Sequence, residues 1–576
     1  MKDDDFRLKP GRIRSVSGER SQPAITQVLK AAQRAGGRIS RVGKITNPKR
    51  STFGRGRVAS VRALHRLTNR SRGAIIKARV VRHHERSSLA AHLSYVQRDG
   101  VSRDHDEGRL FGATTDEVDR NQFAARCEHD RHHFRFIVSP EDVHAMADVK
   151  SFTRSLMAQM EKDLGTKLDW AATDHWDTQH PHVHIVVRGV AEDGRDLVIA
   201  RDYISNGMRA RAQTLITQEL GLRTDLEIRH ALEQQVEAER WTDLDRDLAR
   251  SMKRDGFIDM VPPPDGQSLD LHALKMGRLR KLEHLGLADQ LAPACWSLSD
   301  NAEATLRDLG IRNDIIKHMH RAMKERQIER AIERFVLDAR PGQSIMGRLV
   351  ERGLHDELKG SAYAILDSMD GRTHHVIFPG IEATGDAPSG AIVELRQFAD
   401  RRGRARIALA VRSDMNLAQQ IRAPGATWLD RQLVSQQASE RVGIGFGAEV
   451  TQAMEARAGH LVEVGLARRQ GQRIVFIRNL LESLQQREVT AHAEKLAADL
   501  GLAHKPSRSG DYVAGTIRQR ISLSSGRFAM IDGGLGFQLV PWSPSLDGNT
   551  GRHISGVMRG DGHVDWSLDR GRGMGR

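Results

Sequence analysis

The apolar positions of residues 130–225 fall into two rhythms. HHFRFIVSP (132–140) is a near-continuous apolar run closed by a proline, which predicts a buried strand. Phe152, Leu156, Met160 and Leu164 then recur every fourth residue and stop before Gly165, which predicts a helix with a glycine end. LDWAATDHWD (168–177) and HVHIVVRG (182–189) predict two more strands joined by the turn TQHP, and a second helix is expected over about 205–220, ending at Gly221. AIIKARVV (74–81) adds a short strand upstream. This order predicts an α+β layer, an antiparallel or mixed sheet covered by helices.

The rest of the chain reads as modular. EHLGLA (283–288) and VEVGLA (462–467) each follow a charged helical stretch and precede an apolar run. Each is followed at a distance by strand-like, Gly-rich sequence, HHVIFPG (374–380) and RFAMIDGGLGFQLVPW (527–542). Either a unit is duplicated, a helix-turn-helix or winged-helix piece plus a small β-barrel, or unrelated modules follow one another. The expected organisation is a basic, mostly disordered arm (1–75), a globular domain (76–228), a helical, winged-helix-like region (229–335) and a small β-rich module (336–415). A second helical region (416–490), a C-terminal β-rich module (491–570) and a flexible tail (571–576) complete it.

Charge sharpens the picture once it is located. Residues 1–80 hold 21 Lys and Arg against 4 Asp and Glu, a net of +17, whereas the whole 576-residue chain carries +15. The excess is therefore one arm on a nearly neutral body, suited to neutralising a phosphate backbone. Two cysteines, Cys127 and Cys295, exclude a disulfide framework or a cysteine-rich zinc site and suit a reducing compartment. MKDDDFRLKP has no apolar core and no run of about 18 apolar residues occurs, so neither a cleaved export signal nor membrane insertion is expected.

Candidate chemistry concentrates in HWDTQHPHVHIVVRG (175–189). On a strand, His182, His184 and Arg188 share one face while Val183, Ile185 and Val187 face the core. Two imidazoles on a rigid strand are half of a metal site. His180 has the right parity, but a straight strand puts its Cα about 13 Å from that of His184. His175, before the turn, is the preferred third ligand and His180 the alternative. Asp177 is placed to orient an imidazole or take a proton. Three neutral imidazoles suit a divalent ion acting as a Lewis acid on a phosphoryl oxygen. A nucleophile is still needed. Tyrosines are few, and Tyr95 in HLSYVQRDGV (92–101) lies just after the basic arm, with Arg98 and Gly100 suited to a turn near a DNA backbone. A tyrosine packed on an amphipathic helix is the plainer alternative for Tyr95.

These segments together resemble the HUH-type relaxases, the mobilisation nucleases of conjugative plasmids and T-DNA transfer. HWDTQHPHVHIVVRG is similar to their third motif, His-x-Asp, a spacer, then His-hydrophobic-His at the start of an apolar strand. SYVQRDGV resembles their first motif, and RFIVSPED (135–142) the first core strand of the T-DNA-type, VirD2-like branch. The resemblance covers about 76–225, and the remainder is similar to a long C-terminal extension of one subgroup. It implies an HUH-endonuclease-like fold, Tyr95 as nucleophile, His175, His182 and His184 as metal ligands, and Asp177 as their supporting carboxylate. Many relaxases carry Asn where Arg188 stands, which makes Arg188, with Arg98, a candidate DNA contact.

The implied activity is strand-specific nicking at an origin of transfer, leaving a 5′-phosphotyrosine and a free 3′-OH, with rejoining by the reverse transesterification. The implied cofactor is Mg²⁺ or Mn²⁺. The implied partners are single-stranded or supercoiled origin DNA, relaxosome accessory proteins and a type IV coupling protein. The implied setting is the bacterial cytoplasm, with passage alongside the DNA into a recipient cell. Three readings compete. HPHVHIV also fits a histidine triad in which His182 attacks a nucleotide phosphate without metal. A metal-bound water would make an ordinary DNA hydrolase, and the arm with the helix-turn-helix-like segments would make a non-catalytic DNA-binding protein.

Overall fold

The computed structural model describes residues 70–82, 88–97, 101–103, 106, 108–176, 181–262, 266–337, 344–399, 403–435, 443–560 and 563–567, with 38–39, 45–46 and 55–56. Most of the basic arm, Arg98, Asp177, His180 and the tail lie outside the described residues, and of Tyr95 only the backbone is described. The chain divides into two compact units, Met1–Ala238 with Thr242–Asp300, and Glu239–Trp241 with Asn301–Arg576. The whole is mixed α+β. Among the described residues no helix is long and apolar enough to cross a membrane.

After a short antiparallel pair, Arg38–Ile39 with Ile45–Thr46, the first unit contains β1 (Ala74–Arg82), α1 (Ser88–Val96), α2 (Arg120–Arg126), β2 (His132–Pro140), α3 (Val149–Leu164), β3 (Trp170–His175), β4 (His182–Arg188) and α4 (Met208–Leu220). The strands form one antiparallel sheet in the order β1-β2-β4-β3. The order puts the histidine strand β4 inside the sheet, where a run as apolar as Val183–Val187 belongs. Asp148 caps α3 by accepting the backbone N–H groups of Lys150 and Ser151, and Gly165 ends the helix at φ 64°. Its apolar stripe, Phe152, Leu156, Met160 and Leu164, packs on one sheet face with Phe134, Phe136, Val183, Ile185 and Val187. The other face is covered at one end, where Leu89, Leu93 and Val96 of α1 and Phe123 of α2 meet Ala171 and Val186. The remainder of that face carries polar groups.

After this sheet come α5 (Asp225–Val236), α6 (Asp243–Asp255), β5 (Ile258–Asp259), α7 (Gly266–His284), β6 (Ala288–Ala292) and β7 (Cys295–Leu298), the strands ordered β5-β7-β6. Thr242 and Asp245 form a capping box at the start of α6. Arg278 of α7, fully buried, forks onto Asp245 at 2.8 and 2.9 Å and donates to the carbonyls of Val236 and Ala238.

The second unit begins with α8 (Ala302–Glu325), β8 (Phe335–Val336), β9 (Ile345–Asp356), β10 (Ser361–Ser368), β11 (Thr373–Phe378), β12 (Ile392–Ala399) and β13 (Ala405–Ser413). These strands form a six-stranded sheet, β8-β11-β10-β9-β12-β13. Then follow α9 (Leu417–Ile421), α10 (Trp428–Val434), α11 (Phe446–Glu463), the hairpin β14 (Ala467–Gln470) and β15 (Arg473–Phe476), and α12 (Leu480–Leu500). A five-stranded sheet closes the chain, built from β16 (Tyr512–Leu523), β17 (Gly526–Asp532), β18 (Phe537–Pro541), β19 (His553–Met558) and β20 (Val564–Ser567) in the order β18-β17-β16-β19-β20.

Two sequence expectations change here. Among the described residues the β-rich modules are open sheets, not closed barrels, with helices on their faces: α8 packs Met319 and Met323 on Val350 and Ile365, and α12 packs Ala493 on Met530 and Phe537. The likeness between EHLGLA and VEVGLA extends to the helices and hairpin but not to the sheets, which differ in strand number and order. Thr427 and Asp430 repeat the capping box at α10, and buried Arg457 of α11 forks onto Asp430 at 2.8 and 2.9 Å. Arg457 also donates to the carbonyls of Ile421, Ala423 and Gly425. In both places the guanidinium stands eight residues before the glycine of the shared GLA segment, Arg278 before Gly286 and Arg457 before Gly465.

Candidate metal and DNA-cleavage site

Antiparallel pairing builds the site. His175, the last residue of β3, lies directly opposite His182, the first of β4, and His184 lies opposite Thr173. The period of two then places His175, His182 and His184 on the sheet face away from α3. All three are buried. Each offers a ring nitrogen, and these nitrogens lie within 4.8 Å of one another. The Nε2 atoms of His182 and His184 are 3.1 Å apart, and the rings of His175 and His184 are centred 4.4 Å apart. Two nitrogens each about 2.1 Å from one ion stand roughly 3.0 Å apart at a right angle and 3.4 Å at a tetrahedral one, so the spacing fits two ligands of a common cation. His175 Nε2 donates to the Val96 carbonyl at 2.8 Å, which fixes its proton on Nε2 and makes Nδ1 the ring's lone-pair nitrogen. The donor set, three imidazoles, suits a divalent metal.

Val96 is the residue after Tyr95, so the carbonyl that holds His175 ties the tyrosine-bearing helix α1 to the cluster. A second α1 residue, His92, is buried with its ring edge-on to His184 at 6.2 Å. Sequence reasoning passed over His92, although its place three residues before Tyr95 on one helix was the available signal.

The same face holds cations that the sequence reading also missed. The register puts Lys77 opposite Ile137, itself opposite His184, and Arg79 opposite Arg135, itself opposite Val186. Lys77 and Arg79 are exposed on the edge strand, while Arg135 is buried. Burial, then the nearby Arg79, pushes the Arg135 guanidinium down to about 10. Its Nε donates to His133 Nε2 at 3.0 Å. The signal was the strand parity of RFIVSPED, which places Arg135 on the histidine face. Arg188 is on this face too, at the far end of β4, and its guanidinium forks onto buried Asp130 at 2.8 and 3.0 Å, which raises its pKa. Asp174, of opposite parity, accepts from the Trp176 indole at 2.7 Å.

Comparison with known proteins agrees with this geometry. Residues 110–222 match the model of the relaxase nuclease domain, described as MobA/VirD2-like, and this match supports an endonuclease-type, DNA-nicking domain in the first unit. The matched span contains β2, β3, β4 and all three clustered histidines. The chain as a whole belongs to the DUF3363 family, described as proteins of unknown function, whose model matches residues 275–405 and 396–575 and so covers more than half of the chain. No curated protein and no solved structure matches it.

Proposed function

We propose that the protein is a DNA relaxase that nicks one strand at an origin of transfer and reseals it, initiating transfer of a conjugative or mobilisable element. The observation that carries this reading is the docking of the tyrosine helix onto three converging imidazoles through the Val96–His175 bond. The Tyr95 hydroxyl attacks the scissile phosphorus; the Oη–P bond forms, the P–O3′ bond breaks, and the phenolic proton passes through a base to the departing 3′-oxygen. Asp177, two residues from His175, is the carboxylate assigned to orient the cluster or relay that proton. His175, His182 and His184 hold Mg²⁺ or Mn²⁺, with His180 the alternative ligand, and the bound ion supplies Lewis-acid polarisation of the phosphate.

Lys77, Arg79 and Arg135 offer the strand a cationic bed beside the histidines, to which the outer edge of Arg188 adds, and Arg98 is a further candidate contact from the sequence. Because phosphoester energy is kept in the tyrosyl link, reversal needs no nucleotide cofactor. The third imidazole comes from a separate strand, which a histidine triad has no use for, and this favours the metal-dependent reading. Relaxosome proteins and a coupling protein are the expected partners, in the bacterial cytoplasm and along the route to a recipient.

The test uses the full chain with single-stranded oligonucleotides tiled across the DNA flanking its gene, Mn²⁺ or Mg²⁺, and denaturing gels. Wild type is expected to yield a covalent 5′-linked adduct, EDTA to abolish it, and Tyr95→Phe to give none. Cleavage without any adduct would make the enzyme a hydrolase, and an adduct surviving Tyr95→Phe would remove Tyr95 as nucleophile.

A further inference from the structure

The two helical modules provide an internal control. Both end in a β-hairpin that seals the module. In the first, Leu287, Ala288, Trp296 and Leu298 are buried; in the second, Leu466 and Ala467 are buried, and Ile474 and Phe476 pack on the same cluster. The first hairpin, Ala288–Leu298, contains no Lys or Arg. The second contains Arg468, Arg469 and Arg473, with Arg478 just beyond it, and no acidic residue occurs between Glu463 and Glu482. Since the first hairpin folds without a cation, sealing the module does not require these four.

The arginines are also unspent. All four are exposed, and none makes an ion pair, side-chain hydrogen bond or ring contact with a described residue. Cross-strand pairing of Arg468 with Val475 and of Gln470 with Arg473 puts Arg468, Gln470, Arg473 and Val475 on the solvent face. Arg468 and Arg473 are diagonal neighbours there, about 7–8 Å apart at Cβ. Three like charges on one short hairpin, with Arg478 just beyond it, repel one another unless an anion meets them.

We infer that the β14–β15 hairpin is a docking surface for the phosphate backbone of duplex DNA, a second DNA contact in the part of the chain with no assigned activity. Guanidinium groups, here without a single lysine, match phosphate oxygens in a fork. The choice of duplex follows from what the hairpin lacks. Single-strand sites interleave cations with aromatic stacking platforms, whereas the one ring of this hairpin, Phe476, packs on its own core. Helix α11 beside it exposes Glu455 and Glu463, so the surface grips backbone and reads no bases.

The inference rests on the DNA-handling reading above, and its test separates the two. Binding of the full chain to duplex DNA of arbitrary sequence is followed by anisotropy across a salt series. Each phosphate contact contributes about 0.9 to the log–log slope, so replacing all four arginines by Gln is expected to lower it by about 2 to 4, and Arg473→Gln alone by about 1. The four-fold Arg→Lys variant is expected to keep the slope. Adduct formation on single-stranded DNA is expected to be unchanged in all of these variants. An unchanged slope in the Gln variants, or an equal loss in the Lys variant, would each overturn the inference. If wild type forms no adduct, the relaxase reading fails while the duplex slope still decides the hairpin.

Discussion

Arg135 sets stability against function. Its side chain is 5 % exposed, and burial with the neighbouring Arg79 pushes it down to about 10. A depressed base is destabilised in its charged form, and a depression of this size corresponds to about 3 kcal/mol. The sign is definite: the cost is present in full below pH 10 and fades only as pH rises through the folded and then the unfolded value. Replacing Arg135 with Met, of similar length and uncharged, removes that cost at pH 7. It also removes the 3.0 Å bond to buried His133, a loss of about 1 kcal/mol. The net expectation is a gain of at most about 2 kcal/mol, up to a factor of roughly 30 in the opening equilibrium.

Because the chain has two units, a local probe is needed: hydrogen–deuterium exchange of peptides from β1, β2 and β4, which should slow in the variant. Single-stranded DNA binding should weaken, its salt slope falling by about 0.7 for one lost phosphate contact. Faster exchange in Arg135→Met, with DNA binding intact, would refute the reasoning and make Arg135 a structural residue.

Arg457→Ala leaves a buried carboxylate and three buried carbonyls without their donor and is expected to destabilise the α9–α11 module by about 3–5 kcal/mol, read as faster exchange over 417–476. The paired change Arg457→Met with Asp430→Leu should restore most of that loss, and equal damage in both variants would contradict the account. Cys127 is pushed up to about 12, chiefly by burial and then by Asp130. At pH 8 it then holds roughly a thousandfold less thiolate than an ordinary cysteine. Iodoacetamide on the native chain should therefore modify half-buried Cys295 and spare Cys127, and prompt labelling of Cys127 would show that its packing is looser than described.

Strand and helix periodicity made the first unit readable because its elements are long and each buries one clean stripe. The alternation in HVHIVVR is enough to separate His182 and His184 from Val183, Ile185 and Val187. Which third histidine joins them depends on a pairing across strands: His175 comes opposite His182 only because β3 and β4 are neighbours with that register. The cationic row had the same obstacle. Arg79 and Arg135 are 56 positions apart in sequence, and only the β1–β2 register makes them neighbours. The repeated LGLA and VGLA segments pointed to a duplicated helical unit, but the buried Arg–Asp fork within it is invisible without the loop that brings Asp245 to Arg278. The barrel expectation went wrong because strand-like sequence says nothing about whether the last strand returns to the first.

The bond between the Val96 carbonyl and His175 has a thermodynamic consequence. A contact shared by two elements couples them reciprocally, so any free energy that fixes His175 in its present tautomer is returned as order in α1, and any loosening of α1 is felt at the imidazole. On the function proposed above, presentation of Tyr95 and cation affinity would be a single linked equilibrium, so a change in α1 that weakens the Val96–His175 bond would also weaken cation binding.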